Sequence, residues 1–347
     1  METIGVNKRY TFVDYAKVIG MFLVIYAHLS PNTVWIKRWI YTFHMPLFFI
    51  ISGWLSKGPQ SLKTCLISQF KHLLVPAVFF TLLFVVFMCV PYHFGFFDLQ
   101  SDAGISAKSN VFDTGLAIIQ YDLGRFIHGG KILPVTMWFL FALFYCHILN
   151  WFRIKWGSWF YVICLLLLST VFIHKLPFFI SQGVLGYMFF FMGQQKELLL
   201  KLLSLKTPYY LVMVMISLTI LCFNYGIDIF KLKMGVLPAP FNLVLMFVNG
   251  VLGSVLMLRV CMLFKKNSFV EKLSKSLITC LGMQFVFIYA YKHTIHYGQN
   301  ILVSLLATVV IMMACYLMHV VFVRICPSLL GVKGKQIKTQ SHNNRVI

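Results

Sequence analysis

The hydrophobic residues of this chain form long runs that follow one another almost from end to end, with short polar segments between them. A helix needs about 20 apolar residues to cross a bilayer, and the runs approach or exceed that length. We predict helices over residues 13–32, 39–56, 70–91, 136–152, 157–174, 179–195, 208–225, 240–262, 276–292 and 299–323. The pattern therefore predicts an all-α integral membrane protein with about ten transmembrane helices.

The first apolar run has an alternative interpretation. Lys8 and Arg9 precede it, as basic residues precede the apolar part of a secretory signal. However, no small-residue cleavage site follows His28, and charged groups lie inside the run. We therefore predict that this segment is retained as the first transmembrane helix.

The distribution of basic residues predicts the topology. The net charge of +21 could indicate nucleic-acid binding, but 20 of the 30 Lys and Arg residues fall in the segments on the side of the two termini. The opposite segments hold nine, and Lys17 lies inside the first helix. Cytoplasmic segments of membrane proteins carry such a basic excess. We predict that both termini are cytoplasmic and that nucleic acid is not a partner.

The division of the chain is simple. Residues 1–325 are predicted to form a single transmembrane domain, and residues 326–347 a basic cytoplasmic tail. The longest connection, residues 92–135, carries four of the nine acidic residues and is predicted to be extracytoplasmic. Long connections are often functional. Asp122, Arg125 and His128 in this connection are therefore candidates for contacting a substrate.

The nine cysteines do not indicate a metal site or a disulfide framework. None belongs to a Cys-x-x-Cys pair, and most fall within or at the edge of apolar runs. Both kinds of site need characteristic spacings. We expect small, buried apolar cysteines and no metal.

The first predicted helix carries three ionisable residues on one face. Lys17 and His28 are 11 residues apart, which is just over three helical turns and about 16 Å in height. Asp14 lies one turn before Lys17 on the same face. Such groups are costly in lipid and normally face the bundle interior or a water-filled cavity. The alternatives are an N-terminal cap for Asp14, a snorkelling Lys17, and a structural hydrogen bond for His28.

These residues also form a recognisable motif. Arg9, then Asp14-x-x-Lys17, ten residues and His28 resemble the opening of the acyltransferase 3 family of membrane acyltransferases. The segment FHMPLFFIISGWL (43–55) resembles the second-helix signature of that family.

Two later segments extend the resemblance over essentially the whole chain. QFKHLLVP (69–76) is similar to the basic start of the family's third helix, and MWFLFALF (137–144) to its Trp-Phe-Leu segment. The fucose 4-O-acetylase-like branch is the nearest, because Lys often replaces Arg there. Two departures stand out: Lys17 lacks the bidentate fork of Arg, and Gln284 occupies a position where relatives often carry His.

The resemblance implies transfer of an acyl group from coenzyme A to a hydroxyl group. We expect acetyl-CoA as donor, a cell-envelope or exported glycan or a lipid-linked sugar as acceptor, and the bacterial inner membrane as location. His28 is the candidate general base, because a histidine titrates near neutral pH. Lys17, Asp14 and Arg9 are candidates for binding the donor. His44, just before Pro46, and Ser52 are candidates for lining the acyl path.

Other classes of function remain open. A transporter or flippase for a lipid-linked sugar would also carry charges inside the membrane, but such proteins often show paired helix sets with broken segments, which we do not find in the sequence. A non-catalytic partner of a polysaccharide export system would not need the polar face of the first helix.

Overall fold

The computed structural model describes residues 10–29, 34–58, 61–96, 110–128, 134–157, 162, 176–223, 239–294 and 300–331. The described residues form helices joined by short turns, and they contain no β-strand. In chain order the α-helices are α1 Thr11–Leu29, α2 Val34–Leu55, α3 Leu62–Gln69, α4 Val75–His93, α5 Val111–Ile127, α6 Trp138–Trp156, α7 Ile180–Gln194, α8 Lys196–Leu203, α9 Thr207–Phe223, α10 Ala239–Cys261, α11 Ser268–Lys275, α12 Leu277–Thr294 and α13 Ile301–Ile325.

Most helices predicted from the apolar runs are present. α1, α2, α4, α6, α7, α9, α10, α12 and α13 each overlap a predicted span and end within about five residues of it. The span predicted over 157–174 falls almost entirely outside the described residues. Four described helices are long and apolar enough to cross a membrane, or up to six if each of two bent helix pairs forms one span. The apolar helices make this a multi-pass membrane protein.

The apolar faces divide into an interior and an outer surface. A large core of buried residues joins α1, α2, α4, α6, α7, α10, α12 and α13. The outward faces remain apolar, as α13 shows with exposed Leu302, Leu306, Val310 and Leu317. Contiguous exposed apolar surface of this extent indicates contact with lipid.

One end of the bundle carries most of the basic residues. α1 begins there, with Tyr10 packed against Trp54 near the end of α2, and Lys196 of α8 lies 5.8 Å from the Trp54 ring. The stretch after α10 reaches the same place, because Phe264 stacks on Tyr15. We call this the basic end of the molecule; it corresponds to the side on which the sequence predicts the cytoplasm.

The structure places a helix inside the predicted outer connection. α5 runs antiparallel along α4: Thr114 lies beside His93, and Gly115 faces Val85 and Cys89. Its opposite face exposes five apolar residues at helical spacing, namely Phe112, Leu116, Ile119, Leu123 and Ile127. The second half of the connection is thus part of the helical bundle rather than an external loop.

Close backbone contact fixes α2 against α7. A Cβ atom added to Gly53 would lie 1.9 Å from the carbonyl oxygen of Phe190, and one added to Gly193 would lie 2.0 Å from that of Ile50. Small residues permit this approach between membrane helices. Gly53 therefore packs α2 directly against the main chain of α7.

Three helix ends meet around Phe126. α5 ends just after it, while Phe178 donates its backbone N–H to the Phe126 carbonyl at 2.9 Å. Phe178 and Phe179 adopt left-handed φ angles of 58° and 62° immediately before α7. The left-handed helical conformation costs a non-glycine residue roughly 1–2 kcal/mol. The fully buried Phe179 ring and its contacts with Phe126 and Phe141 hold this turn in place.

Candidate active site

The polar face of α1 lies inside the bundle. α1 packs against α2, α10, α11, α12 and α13, so several helices surround it. Asp14 is only 6% exposed and accepts a hydrogen bond of 2.7 Å from the hydroxyl of Ser274 in α11. A carboxylate placed to cap the helix at the membrane surface would not be buried against another helix in this way. Asp14 is therefore part of an interior polar contact at the basic end.

Lys17 lies one turn further into the bundle. It is half-buried, and its Cα stands about 4.5 Å above that of Asp14 along the helix axis. The structure thus keeps the carboxylate and the ammonium on neighbouring positions of one face, as predicted. The third residue assigned to this end, Arg9, lies outside the described residues.

His28 sits near the other end of α1 and is held by aromatic side chains. The Tyr41 hydroxyl of α2 lies 3.4 Å from His28 Nδ1. The Phe285 ring of α12 meets the imidazole edge-on, with centroids 4.9 Å apart. His28 remains half-buried. The Tyr41 hydroxyl is thus a neighbour of one ring nitrogen of His28.

His44 joins this group through Tyr41. Its ring centroid lies 5.2 Å from that of Tyr41, and its Nδ1 lies 2.8 Å from the backbone carbonyl of Ile40. Because a carbonyl oxygen only accepts, Nδ1 of His44 carries the proton, and Nε2 of the neutral ring is an acceptor. The structure therefore places both His28 and His44 next to the Tyr41 ring.

Ser52 lies on the same face of α2 but far from His28. Tyr41 and Ser52 are 11 residues apart, which separates them by about 16 Å along the helix. Between them, Phe48 packs against Gly20 of α1: a Cβ atom added to Gly20 would lie 3.1 Å from the Phe48 ring. Ser52 is half-buried. The predicted path residues His44 and Ser52 thus lie on α2 to either side of Phe48, which packs against Gly20 of α1.

Sequence reasoning left Gln284 without a role, yet it stands out in the structure. It is completely buried in α12, next to Phe285, which contacts His28. Neither its side-chain oxygen nor its nitrogen has a hydrogen-bond partner among the described residues. Its surroundings are tightly held, since Thr136 donates to the Leu281 carbonyl at 2.6 Å. An unpaired buried amide is rare and calls for a functional or solvent explanation.

A polar cavity of about 280 Å³ opens among α2, α3 and α6. Lys57, Ser68, His147 and Asn150 contribute its polar groups, and the buried Cys65 also lines it. Arg153 is one turn away and donates to Asn150 Oδ1 at 3.2 Å. The cavity is large enough for a polar fragment of a ligand at the end of α2.

A second cavity of about 250 Å³ lies between α4, α5 and α6. Its walls are almost entirely apolar, but they include the buried carboxyl group of Asp122 and the hydroxyl of Thr81. Of the three candidates in the long connection, Asp122 therefore faces a cavity, Arg125 stacks on Tyr121 at 5.1 Å, and His128 follows the end of α5.

The described part of the chain offers no set of ligands for a metal ion. Within those ranges, no three His, Cys, Asp or Glu side chains come together as a metal site would require. The buried cysteines, such as Cys146 and Cys315, pack as small core residues.

α1 lies inside the bundle and carries a carboxylate, an ammonium and an imidazole along one face. This arrangement is a candidate site for acyl transfer within a membrane protein. The acyltransferase 3 family, described as an acyltransferase domain, matches residues 10–320. The chain therefore belongs to this family of membrane acyltransferases.

One relative is similar over a short region. Nodulation protein NolL of Mesorhizobium japonicum (strain LMG 29417 / CECT 9101 / MAFF 303099) is 42% identical over 64 residues. That match covers 16% of this chain and 17% of the length of NolL. No solved structure matches the chain.

Proposed function

We propose that this protein is an O-acetyltransferase of the bacterial inner membrane. It takes an acetyl group from cytoplasmic acetyl-CoA and transfers it to a hydroxyl group of a cell-envelope or exported glycan. Family membership supports the acyl-transfer chemistry. The basic end supports a cytoplasmic donor, because the excess of Lys and Arg favours that side for both termini.

The donor binds at the basic end of α1. Lys17 contacts a phosphate of coenzyme A, with Arg9 contributing a second cation, and Asp14 orients Lys17. The hydrogen bond from Ser274 to Asp14 supports this role, since it fixes the carboxylate one turn from the ammonium. The bound thioester then points along the α1–α2 interface toward His28.

His28 acts as the general base. Its Nε2 takes the proton of the acceptor hydroxyl while the hydroxyl oxygen forms a bond to the thioester carbonyl carbon. The sulfur leaves as the thiol of coenzyme A once it receives a proton. Tyr41 supports the assignment, because a hydroxyl 3.4 Å from Nδ1 can fix the orientation of the imidazole ring.

The acyl path follows the α2 face that lies along α1. Ser52 lies near its donor end and His44 near its acceptor end. The observation that carries the proposal is this single interface, where α1 holds donor-binding groups and a candidate base about 16 Å apart in the bundle interior. A pantetheine arm is an extended chain that can reach over such a distance.

The decisive experiment compares the surface glycan of cells with and without the protein by mass spectrometry. We expect the glycan of the deletion strain to lack one acetyl group per modified unit, and the wild-type gene to restore it. The alternative, a transporter or flippase for a lipid-linked sugar, predicts loss of the exported glycan itself. Unchanged acetylation in the deletion strain would contradict the proposal.

Acetyl-CoA use is tested separately with isolated membranes. Membranes containing the protein should transfer label to added glycan from acetyl-CoA that is labelled in its acetyl group, and membranes with His28→Ala should not. Export of the glycan without acetylation would favour the transporter.

A further inference from the structure

An open cavity of about 730 Å³ lies at the basic end, away from the polar face of α1. Residues of α8 and the C-terminal part of α10 form its walls. The polar groups come from Glu197, Lys201, Ser204 and Arg259, while the apolar wall includes Leu203 and Met262. Its volume is within the range of about 300–1,000 Å³ that small-molecule sites occupy.

The helices around this cavity place it at the membrane surface. α8 and α9 meet at an angle of 103°. α9 exposes Leu211 and Met215 on its outer face, as a lipid-facing helix does. If α9 crosses the bilayer, α8 lies nearly in the plane of its surface.

The side chains of α8 fit such an interfacial position. Leu199 and Leu203 are buried against the protein, whereas Leu198 and Leu200 are exposed. Lys201 is exposed beside them. Amphipathic helices of this composition lie at the boundary of headgroups and acyl chains.

The cavity holds one positive charge in excess. Arg259 and Lys201 face it with one carboxylate, that of Glu197. Across the described ranges, no carboxylate lies within 4.0 Å of either cation. Arg259 is nevertheless held in place, because its guanidinium stacks on Tyr210 at 5.5 Å. The Tyr210 hydroxyl donates to the Leu202 carbonyl at 2.9 Å, which ties this arrangement to α8.

We propose that this cavity binds the headgroup of an anionic phospholipid from the leaflet at the basic end. Arg259 and Lys201 contact the phosphate, and the acyl chains follow the exposed Leu200 and Met262 into the bilayer. A headgroup with one net negative charge balances the excess, and the hydroxyls of a glycerol headgroup can donate to Glu197. Basic pockets between helices on this side of a membrane are suited to such headgroups. The proposal is independent of the acyl-transfer reaction.

Native mass spectrometry of the full-length protein tests the proposal. The detergent-purified protein is mixed with equal amounts of phosphatidylglycerol and phosphatidylcholine, which differ in net headgroup charge. We expect preferential retention of phosphatidylglycerol, and a loss of about tenfold in its affinity for Arg259→Gln, because a charge-assisted contact is removed. Lys201→Gln should act in the same direction, and its exposed position leaves the packing intact.

The matched control is Lys155→Gln. Lys155 is an exposed cation at the end of α6, lying 5.2 Å from the Trp151 ring, and it does not line the cavity. We expect it to leave phosphatidylglycerol binding unchanged. Glycerol 3-phosphate, which carries the phosphate without acyl chains, should not displace the lipid. Equal retention of the two lipids, or equal losses in Lys155→Gln and Lys201→Gln, would overturn the proposal in favour of general charge attraction.

Discussion

At the scale of single residues, His28 is the group on which the proposed chemistry depends most. General-base assistance contributes about 10²–10⁴-fold to a rate. We expect His28→Ala to lower acetyl transfer by a factor in that range, and His28→Gln to be almost as impaired because an amide cannot take up the proton. The measurement is acetyl transfer by membranes with equal amounts of inserted protein.

The control for His28 is another histidine. His93 ends α4, where its Nδ1 lies 3.3 Å from the Thr114 hydroxyl. We expect His93→Gln to keep wild-type transfer. Full activity of inserted His28→Gln would instead make His28 a structural residue that only donates or accepts hydrogen bonds.

Lys17 is the residue on which the proposed binding of the donor, acetyl-CoA, depends most. If its ammonium contacts a phosphate of coenzyme A, Lys17→Ala should weaken binding of acetyl-CoA about tenfold or more, because a charge-assisted contact of about 1.5–3 kcal/mol is lost. Lys17→Arg should retain binding, since guanidinium suits phosphate. Isothermal titration with acetyl-CoA measures both. The control is Lys196→Ala, which removes a cation stacked on Trp54 at the same end. If both variants weakened acetyl-CoA binding equally, Lys17 would act only through its general positive charge.

The buried, unpaired side-chain amide of Gln284 leads to a prediction about the thermal stability of the protein. Burying an amide without partners costs about 1–3 kcal/mol. Gln284→Leu should therefore raise the thermal midpoint of the purified protein in the absence of substrate. Gln182→Leu is a graded control, because only its side-chain oxygen is unpaired in the structure, and we expect a smaller gain. A lower midpoint for Gln284→Leu would show that water or another group pairs with this amide.

The site could be predicted only in part, because its members come from different helices. The spacing of Asp14, Lys17 and His28 on one helix is a property of the sequence, and α1 confirms their common face. Tyr41 and Ser274 carried no comparable signal. An aromatic residue and a serine in or near apolar runs are ordinary, and their contacts with α1 depend on which helices pack together.

At the scale of elements, long apolar runs predict helices well and mixed runs do not. α5 was missed because Asp113, Asp122 and Arg125 interrupt its apolar residues. Two signals were nevertheless present: the spacing of its apolar face, and Asn110, whose side chain caps the helix by accepting from the backbone N–H of Asp113 at 2.8 Å. α3, α8 and α11 were missed because each is only 8 residues long, too short to stand out as an apolar run.

The close contact between α2 and α7 leads to a prediction about the stability of a Gly53 variant. Gly53→Ala would force a Cβ against the Phe190 carbonyl, and overpacking of this kind costs about 1–3 kcal/mol or more. We expect a lower thermal midpoint and less inserted protein. Gly124→Ala in α5 is the control, because open space surrounds that position; it should be neutral or stabilising. Equal midpoints for the two variants would contradict the close contact.

At the scale of the whole molecule, the basic excess predicts which end faces the cytoplasm. A cysteine at position 113, introduced into a cysteine-free protein, should react with an impermeant maleimide added from outside intact cells. A cysteine at position 265 should react only after the cells are opened. The two positions report on opposite ends, because Asp113 lies in the first turn of α5, away from the basic end, and the Lys265 backbone carbonyl accepts from the Tyr15 hydroxyl at that end. The reverse pattern would invert the topology and contradict a cytoplasmic donor.

The backbone contact at Gly53 and Gly193 also decides how the molecule can open. Helices whose main chains touch cannot slide or rotate past each other without separating, so α2 and α7 move as one rigid wall that carries Tyr41, His44 and Ser52. The opposite wall has a different construction. α11 and α12 meet at a bend of 71°, and α11 packs against α1, where the Ser274 hydroxyl donates to Asp14. We therefore expect the movement that admits the donor to occur at α11, beside Asp14, while Tyr41, His44 and Ser52 keep their positions on α2.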